Sequence, residues 1–196
     1  MNYKDYKNTR DLVWEILIRE RITELPVRVS ELCRNMGIPI LLHEFEDGNS
    51  GISAMVNGGP IILVNKGDSA ERQRFTAAHE LGHIMLGHVG KYKLVNREPS
   101  PNDNPIEQAA NVFASRLLAP ACVLWGCGVH TPEQIAALCS ISLPAARFRA
   151  ARMAELYDRE QDFLMTRGRS CFLLSPLERQ VYEAFADYIA AHRRSS

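Results

Sequence analysis

The chain has 196 residues and a mass of 22.1 kDa, enough to bury roughly 70% of its unfolded surface in one domain with at most a small appendage. With 46% apolar and 23% charged residues, 12 Gly and 10 Pro, it is not a disordered, collagen-like or disulfide-stapled chain. Lys plus Arg (23) balances Asp plus Glu (23), so no global field directs it to nucleic acid or an anionic membrane, and such a partner needs a local patch.

In chain order, Leu12, Val13, Ile16, Leu17, Ile22 and Leu25 recur at helical spacing and predict a helix over Thr9 to Leu25, ended by Pro26. Ser30 to Met36 reads as a short helix stopped by Gly37, and Ile38 to Phe45 as a strand. A hairpin follows: Ile52 to Val56, a turn at Asn57, Gly58 and Gly59, then Pro60 to Asn65. Asp68 with Glu71 signals the start of a helix that runs to about Gly87 and is apolar on nearly every side, which marks it as the buried central helix. Residues 90 to 105 are polar and Pro-rich and read as a loop, either a substrate lid or a plain connection. Ile106 to Ala119 forms the next helix, ended by Pro120. Thr131 opens a helix through Cys139, Ser142 to about Arg159 makes another, and the last runs from Pro176 to His192. Strands early and helices late predict an α+β fold with a small, mainly antiparallel three-stranded sheet.

The five cysteines (Cys33, Cys122, Cys127, Cys139, Cys171) are odd in number and form no CxxC pair, so they read as reduced core thiols of a cytosolic protein. The first residues, MNYKDYKNTRDLVWE, lack the apolar region of a signal peptide, and no apolar run approaches the ~20 residues of a membrane span. The expected location is the cytoplasm, with no membrane partner.

Chemistry concentrates on the central helix. His79, Glu80, Leu81, Gly82 and His83 form an HExxH, and spacing i, i+4 sets both imidazoles on one face, so that two nitrogens can meet one ion at about 2.0 to 2.1 Å. Glu80 can lean toward the same ion without binding it and take a proton from water. Read as ordinary core polar groups, the three side chains need partners worth several kcal/mol, which a divalent cation supplies at once. A third ligand is then required. Glu107 lies on the next helix, with Asn111 one turn on and Ala110 and Ala114 small enough to let the helices approach. Asn104, Pro105, Ile106 and Glu107 also read as a capping box, and Asp103 is the alternative ligand. For stabilising an oxyanion, His88, Tyr92, His130 and Tyr157 are all candidates; His88 also reads simply as a polar group at a helix end.

HELGH at 79 to 83, preceded by RFTAA and followed by IMLGH, together with EQAANVFASRLLAP at 107 to 120, resembles the ImmA/IrrE family of metallo-endopeptidases over about Gly51 to Pro120. The resemblance implies a zincin-like active-site helix, zinc held by His79, His83 and Glu107, Glu80 as general base and Asn111 in support. It also implies a substrate class: a helix-turn-helix transcriptional repressor, often encoded on a phage or mobile element, whose cleavage derepresses genes. Two positions depart from the family pattern, Ala109 where a second glutamate is frequent and Ala119 where a methionine commonly precedes the proline. The expected organisation is a metallopeptidase domain over 1-120 and a helical C-terminal region over 121-196.

Residues Gln134 to Met153 have a helix-turn-helix-like layout, with Ser140 at the turn and Arg147, Arg149 and Arg152 on the second helix. A rival reading is therefore a regulatory module with a structural metal site that works through protein or DNA contact. Against direct DNA binding, Glu155, Asp158, Glu160 and Asp162 soon answer those arginines.

Overall fold

The computed structural model describes residues 3–46, 48–89 and 104–193. Tyr92, Glu98 and Asp103, with nearly all of the predicted 90–105 loop, lie outside the described residues. The fold is α+β, with a three-stranded sheet early in the chain and helices elsewhere. It divides into two compact units, one of residues 1–10 and 28–114, the other of residues 11–27 and 115–196.

The first unit carries the sheet. Helix α2 (Val29–Asn35) ends at Gly37, whose φ of 70° lets the N–H groups of Gly37 and Ile38 turn back to the carbonyls of Arg34 and Cys33. Strand β1 (Ile40–His43) follows, then β2 (Gly51–Val56) and β3 (Gly59–Asn65). The hairpin is antiparallel and pairs Val56 with Gly59. Its turn is therefore two residues long: Asn57 and Gly58 both take positive φ, 51° and 81°, as a type I′ turn demands, and Gly59 opens the strand. Strand order is β1-β3-β2, with β1 parallel to β3. The sheet is thus mixed, with β1 and β2 flanking β3 on opposite sides.

Helix α3 (Ala70–Met85) packs on β2 and β3. Its N-cap is Ser69, whose hydroxyl accepts from the Arg72 N–H, rather than the expected Asp68, which pairs with the Arg72 guanidinium at 3.2 Å. The sheet residues Ile62 and Val64 and the helix residues Ala77, Ala78 and Leu81 are buried. Helix α4 (Pro105–Leu118) has Pro at its first position, where a missing N–H costs nothing.

Other boundaries moved for identifiable reasons. Helix α1 (Tyr3–Arg19) starts in the polar YKDYKN segment and stops before the predicted end. Arg21 adopts φ 53°, and the N–H groups of Arg21 and Ile22 return to the carbonyls of Ile18 and Leu17. The apolar pattern continues past this stop because Leu25 is buried from irregular backbone. In the second unit, the segment after Pro120 forms helix α5 (Ala121–Gly126). Helix α6 (Pro132–Cys139) opens with a complete capping box between Thr131 and Gln134. Helix α7 (Leu143–Arg167) packs on α6 across a short turn at Ser140 and outlasts the predicted end near Arg159, stopping at Gly168 with φ 61°. In its later turns Asp158, Arg159, Asp162 and Arg167 are exposed and Glu160 is buried, which leaves no apolar period to read. The predicted last helix is two, α8 (Pro176–Ala184) and α9 (Ala186–His192), separated at Phe185, which leaves helical backbone and is fully buried.

All five cysteines are free and buried, and burial pushes the Cys33 thiol up to about 12 and Cys127 to about 11. Against the expectation of no long apolar run, Pro105–Gly126 has the length and composition of a membrane span; it comprises α4 and α5 and is 78% buried in the fold.

Gly51 is where the sheet meets α3 most tightly. A Cβ there would collide with Thr76 Cγ2 and stand 2.7 Å from the Leu63 carbonyl oxygen. Gly51→Ala should therefore cost about 1–3 kcal/mol, seen as a lower midpoint in urea unfolding, and an unchanged midpoint would contradict this packing.

Candidate metal centre

Helix α3 supplies two imidazoles. One turn apart, His79 and His83 share a face, and their side chains are 12% and 7% exposed. Opposite them, α4 presents Glu107 and, one turn on, Asn111. The helices come close because position 82 is glycine: a Cβ there would lie 3.1 Å from the Phe113 ring. Ala110 and Ala114 are fully buried, as is Phe113. Small residues on both helices thus bring a carboxylate within reach of two histidines.

Ligand atoms from three residues converge. His79 Nε2 lies 3.1 Å from Glu107 Oε2, His83 Nε2 lies 3.3 Å from Glu107 Oε1, and the two Nε2 atoms are 3.1 Å apart. A tetrahedral ion with bonds of about 2.0 to 2.1 Å sets neighbouring ligand atoms roughly 3.3 Å apart, and the triangle of residues has contacts of that length, the carboxylate meeting His79 through Oε2 and His83 through Oε1. Its electrostatics point the same way. Asn111 Oδ1, 3.0 Å from His79 Nδ1, can only accept a hydrogen bond, which puts the His79 proton on Nδ1 and leaves a lone pair on Nε2. That lone pair faces a carboxylate oxygen and a second ring nitrogen, groups that repel it unless a cation lies among them. A proton relieves one edge of the triangle; a divalent cation satisfies all three. The residues fit a two-histidine, one-carboxylate metal site.

Glu107 is the anionic member. Hydrogen bonds from the rings of His79 and His83, when these are protonated, hold its carboxyl well below the usual carboxylate range and outweigh the opposing effect of burial. Its side chain is 25% exposed, so the cluster opens to solvent on this side. The capping role falls to Asn104, whose Oδ1 accepts from the Ile106 N–H at 3.0 Å, while the Glu107 carboxylate turns to the histidines.

Glu80, next to His79, is fully buried. The hydroxyl of Ser53 donates to its Oε2 at 2.8 Å. Ser53 pairs with the buried Ile62 across the hairpin, so both share the sheet face on which α3 packs. Sequence reading passed over Ser53; the available signal was a polar residue on the inward phase of β2. Asn111 Oδ1 meets His79 Nδ1 at 3.0 Å, and His88 meets the far side of His83, Nδ1 to Nδ1 at 3.0 Å. His130 and Tyr157 belong to the second unit. Their rings stack at 4.4 Å, and the Tyr157 hydroxyl donates to the Val129 carbonyl. Of the three arginines singled out for DNA contact, Arg149 is buried and donates to the Ala119 carbonyl, Arg152 pairs with Glu155, and Arg147 is exposed.

A helix-borne HExxH whose histidines meet a carboxylate from the following helix places the chain in the class of metallopeptidase-like proteins. The profile of the IrrE N-terminal-like domain, Peptidase_M78, matches residues 33–151, more than half of the chain, and the chain belongs to that family. A comparison with curated proteins finds no match.

Ser53→Ala removes a hydrogen bond to a buried carboxylate, an interaction worth about 1.5–3 kcal/mol. The variant should unfold at lower urea concentration with an unchanged slope, and a midpoint equal to wild type would mean that the contact contributes nothing.

Proposed function

We propose that the protein is a zinc-dependent endopeptidase in which His79, His83 and Glu107 hold the ion, Asn111 orients His79 and Glu80 is the general base. The observation that carries this reading is the convergence of His79 Nε2, His83 Nε2 and the Glu107 carboxylate at separations of 3.1 to 3.3 Å, with the buried Glu80 on the same helix as the two histidines. Zinc bound there supplies a Lewis acid that polarises a peptide carbonyl and acidifies water. The rest falls to the chain. Glu80 accepts a proton from the attacking water on a carboxylate oxygen and returns it to the departing amide nitrogen. Ser53 holds the carboxylate in one rotamer through Oε2, and burial spares it the levelling effect of bulk water. Asn111 keeps the His79 proton on Nδ1 so that Nε2 stays a ligand.

The substrate class comes from the family resemblance: a helix-turn-helix transcriptional repressor whose cleavage relieves repression. Five buried thiols without a disulfide support a reducing, cytoplasmic setting for that event.

Glu80→Gln tests the mechanism and the substrate together. Cells expressing wild type should accumulate a new N-terminus in a helix-turn-helix repressor, detected by terminal-peptide mass spectrometry. The variant should generate it about 10²–10⁴-fold more slowly while retaining its metal. Equal cleavage by the variant would remove Glu80 from the mechanism, and cleavage confined to other proteins would remove the repressor.

A further inference from the structure

The geometry points to His88 as a positioning residue for the metal centre: its ring accepts the Nδ1 proton of His83 and so locks His83 in the tautomer whose Nε2 is a ligand. This inference rests on the metal-site reading and extends it to a residue outside the HExxH and outside the ligand triangle.

The backbone places His88 there. Helix α3 ends at Met85 with Leu86 as its C-cap, and Gly87 takes φ 70°, a conformation costly for any residue with a Cβ. The Gly87 N–H then donates to the Ile84 carbonyl at 3.0 Å, and the His88 N–H to the His83 carbonyl at 2.9 Å. These two bonds are a complete Schellman closure, and the second ties residue 88 to residue 83 through the main chain. The side chains repeat the link, with the two Nδ1 atoms 3.0 Å apart and the rings edge to face, centroids 5.1 Å apart.

The tautomer argument follows from donor and acceptor rules. With Nε2 in the ligand triangle, His83 must carry its proton on Nδ1, and that proton needs an acceptor. The Nδ1 lone pair of neutral His88 is 3.0 Å away. The site is then symmetric in logic: Asn111 does for His79 what His88 does for His83. Outer partners of this kind change metal affinity about 10–100-fold.

Two substitutions separate acceptor from shape. His88→Phe keeps a ring and removes the acceptor, whereas His88→Asn restores an oxygen acceptor of the kind that Asn111 offers. Zinc dissociation constants come from competition with a chromophoric chelator, and imidazole ¹H–¹⁵N spectra of the zinc-free proteins report the His83 tautomer. We expect His88→Phe to bind zinc about 10–100-fold more weakly and to lose the pure Nδ1–H tautomer of His83, and His88→Asn to recover most of both. If His88→Phe does not fold, His88→Leu replaces it, and thermal unfolding in chelator confirms an intact fold. Wild-type affinity in the acceptor-free variant, with its tautomer unchanged, would overturn the role of His88 and leave the metal site standing. No zinc binding by wild type itself would overturn the metal-site reading and this inference with it.

Discussion

A lone pair on His79 Nε2 faces a carboxylate oxygen and a second imidazole nitrogen at 3.1 Å, a mutual repulsion that a cation at their centre reverses. The rest of the first unit keeps those three atoms together. Gly82 lets α4 approach α3 at Phe113. The one-turn spacing within α3 aligns the two rings, and Asn111 and His88 each take the outward Nδ1 of one histidine. Polar groups held this way on an apolar helix are costly one by one and become stabilising only as a satisfied set.

The sheet serves the same end from the other side. Strand β2 packs against α3, and its inward phase brings Ser53 to Glu80. The turn at Asn57 and Gly58 sets the register that pairs Ser53 with Ile62; a slip of one residue would point Ser53 to the opposite face of the sheet. Gly51 permits the close contact between β2 and Thr76. Backbone geometry remote from the histidines thus decides where the buried carboxylate sits.

Much of this was legible in the sequence. The HExxH spacing and the small residues on α4 follow from helical periodicity, Glu107 was read as the third ligand with Asp103 as the alternative, and the α+β class follows from the order of apolar patterns. Local chemistry hid the remainder. The capping pattern at Asn104 to Glu107 offered Glu107 two roles, and only the tertiary fold turned its carboxylate to the rings. Ser53 looked like an ordinary strand residue because its partner lies 27 positions away. His88 looked like a helix-end polar group because the Schellman closure that folds it back on His83 depends on the φ of Gly87. The parallel pairing of β1 with β3 joins strands that are not consecutive in the chain, which no local signal encodes. The end of α1 was misplaced because apolar spacing continued beyond a non-glycine residue, Arg21, in the left-handed region.

The most direct test of the central claim is the metal content of protein purified without added metal, measured by elemental analysis on wild type and Glu107→Ala side by side. The account predicts close to one zinc per wild-type chain and a clear loss in the variant. A wild-type chain without a stoichiometric divalent metal, or a variant that keeps it, would contradict the three-ligand site.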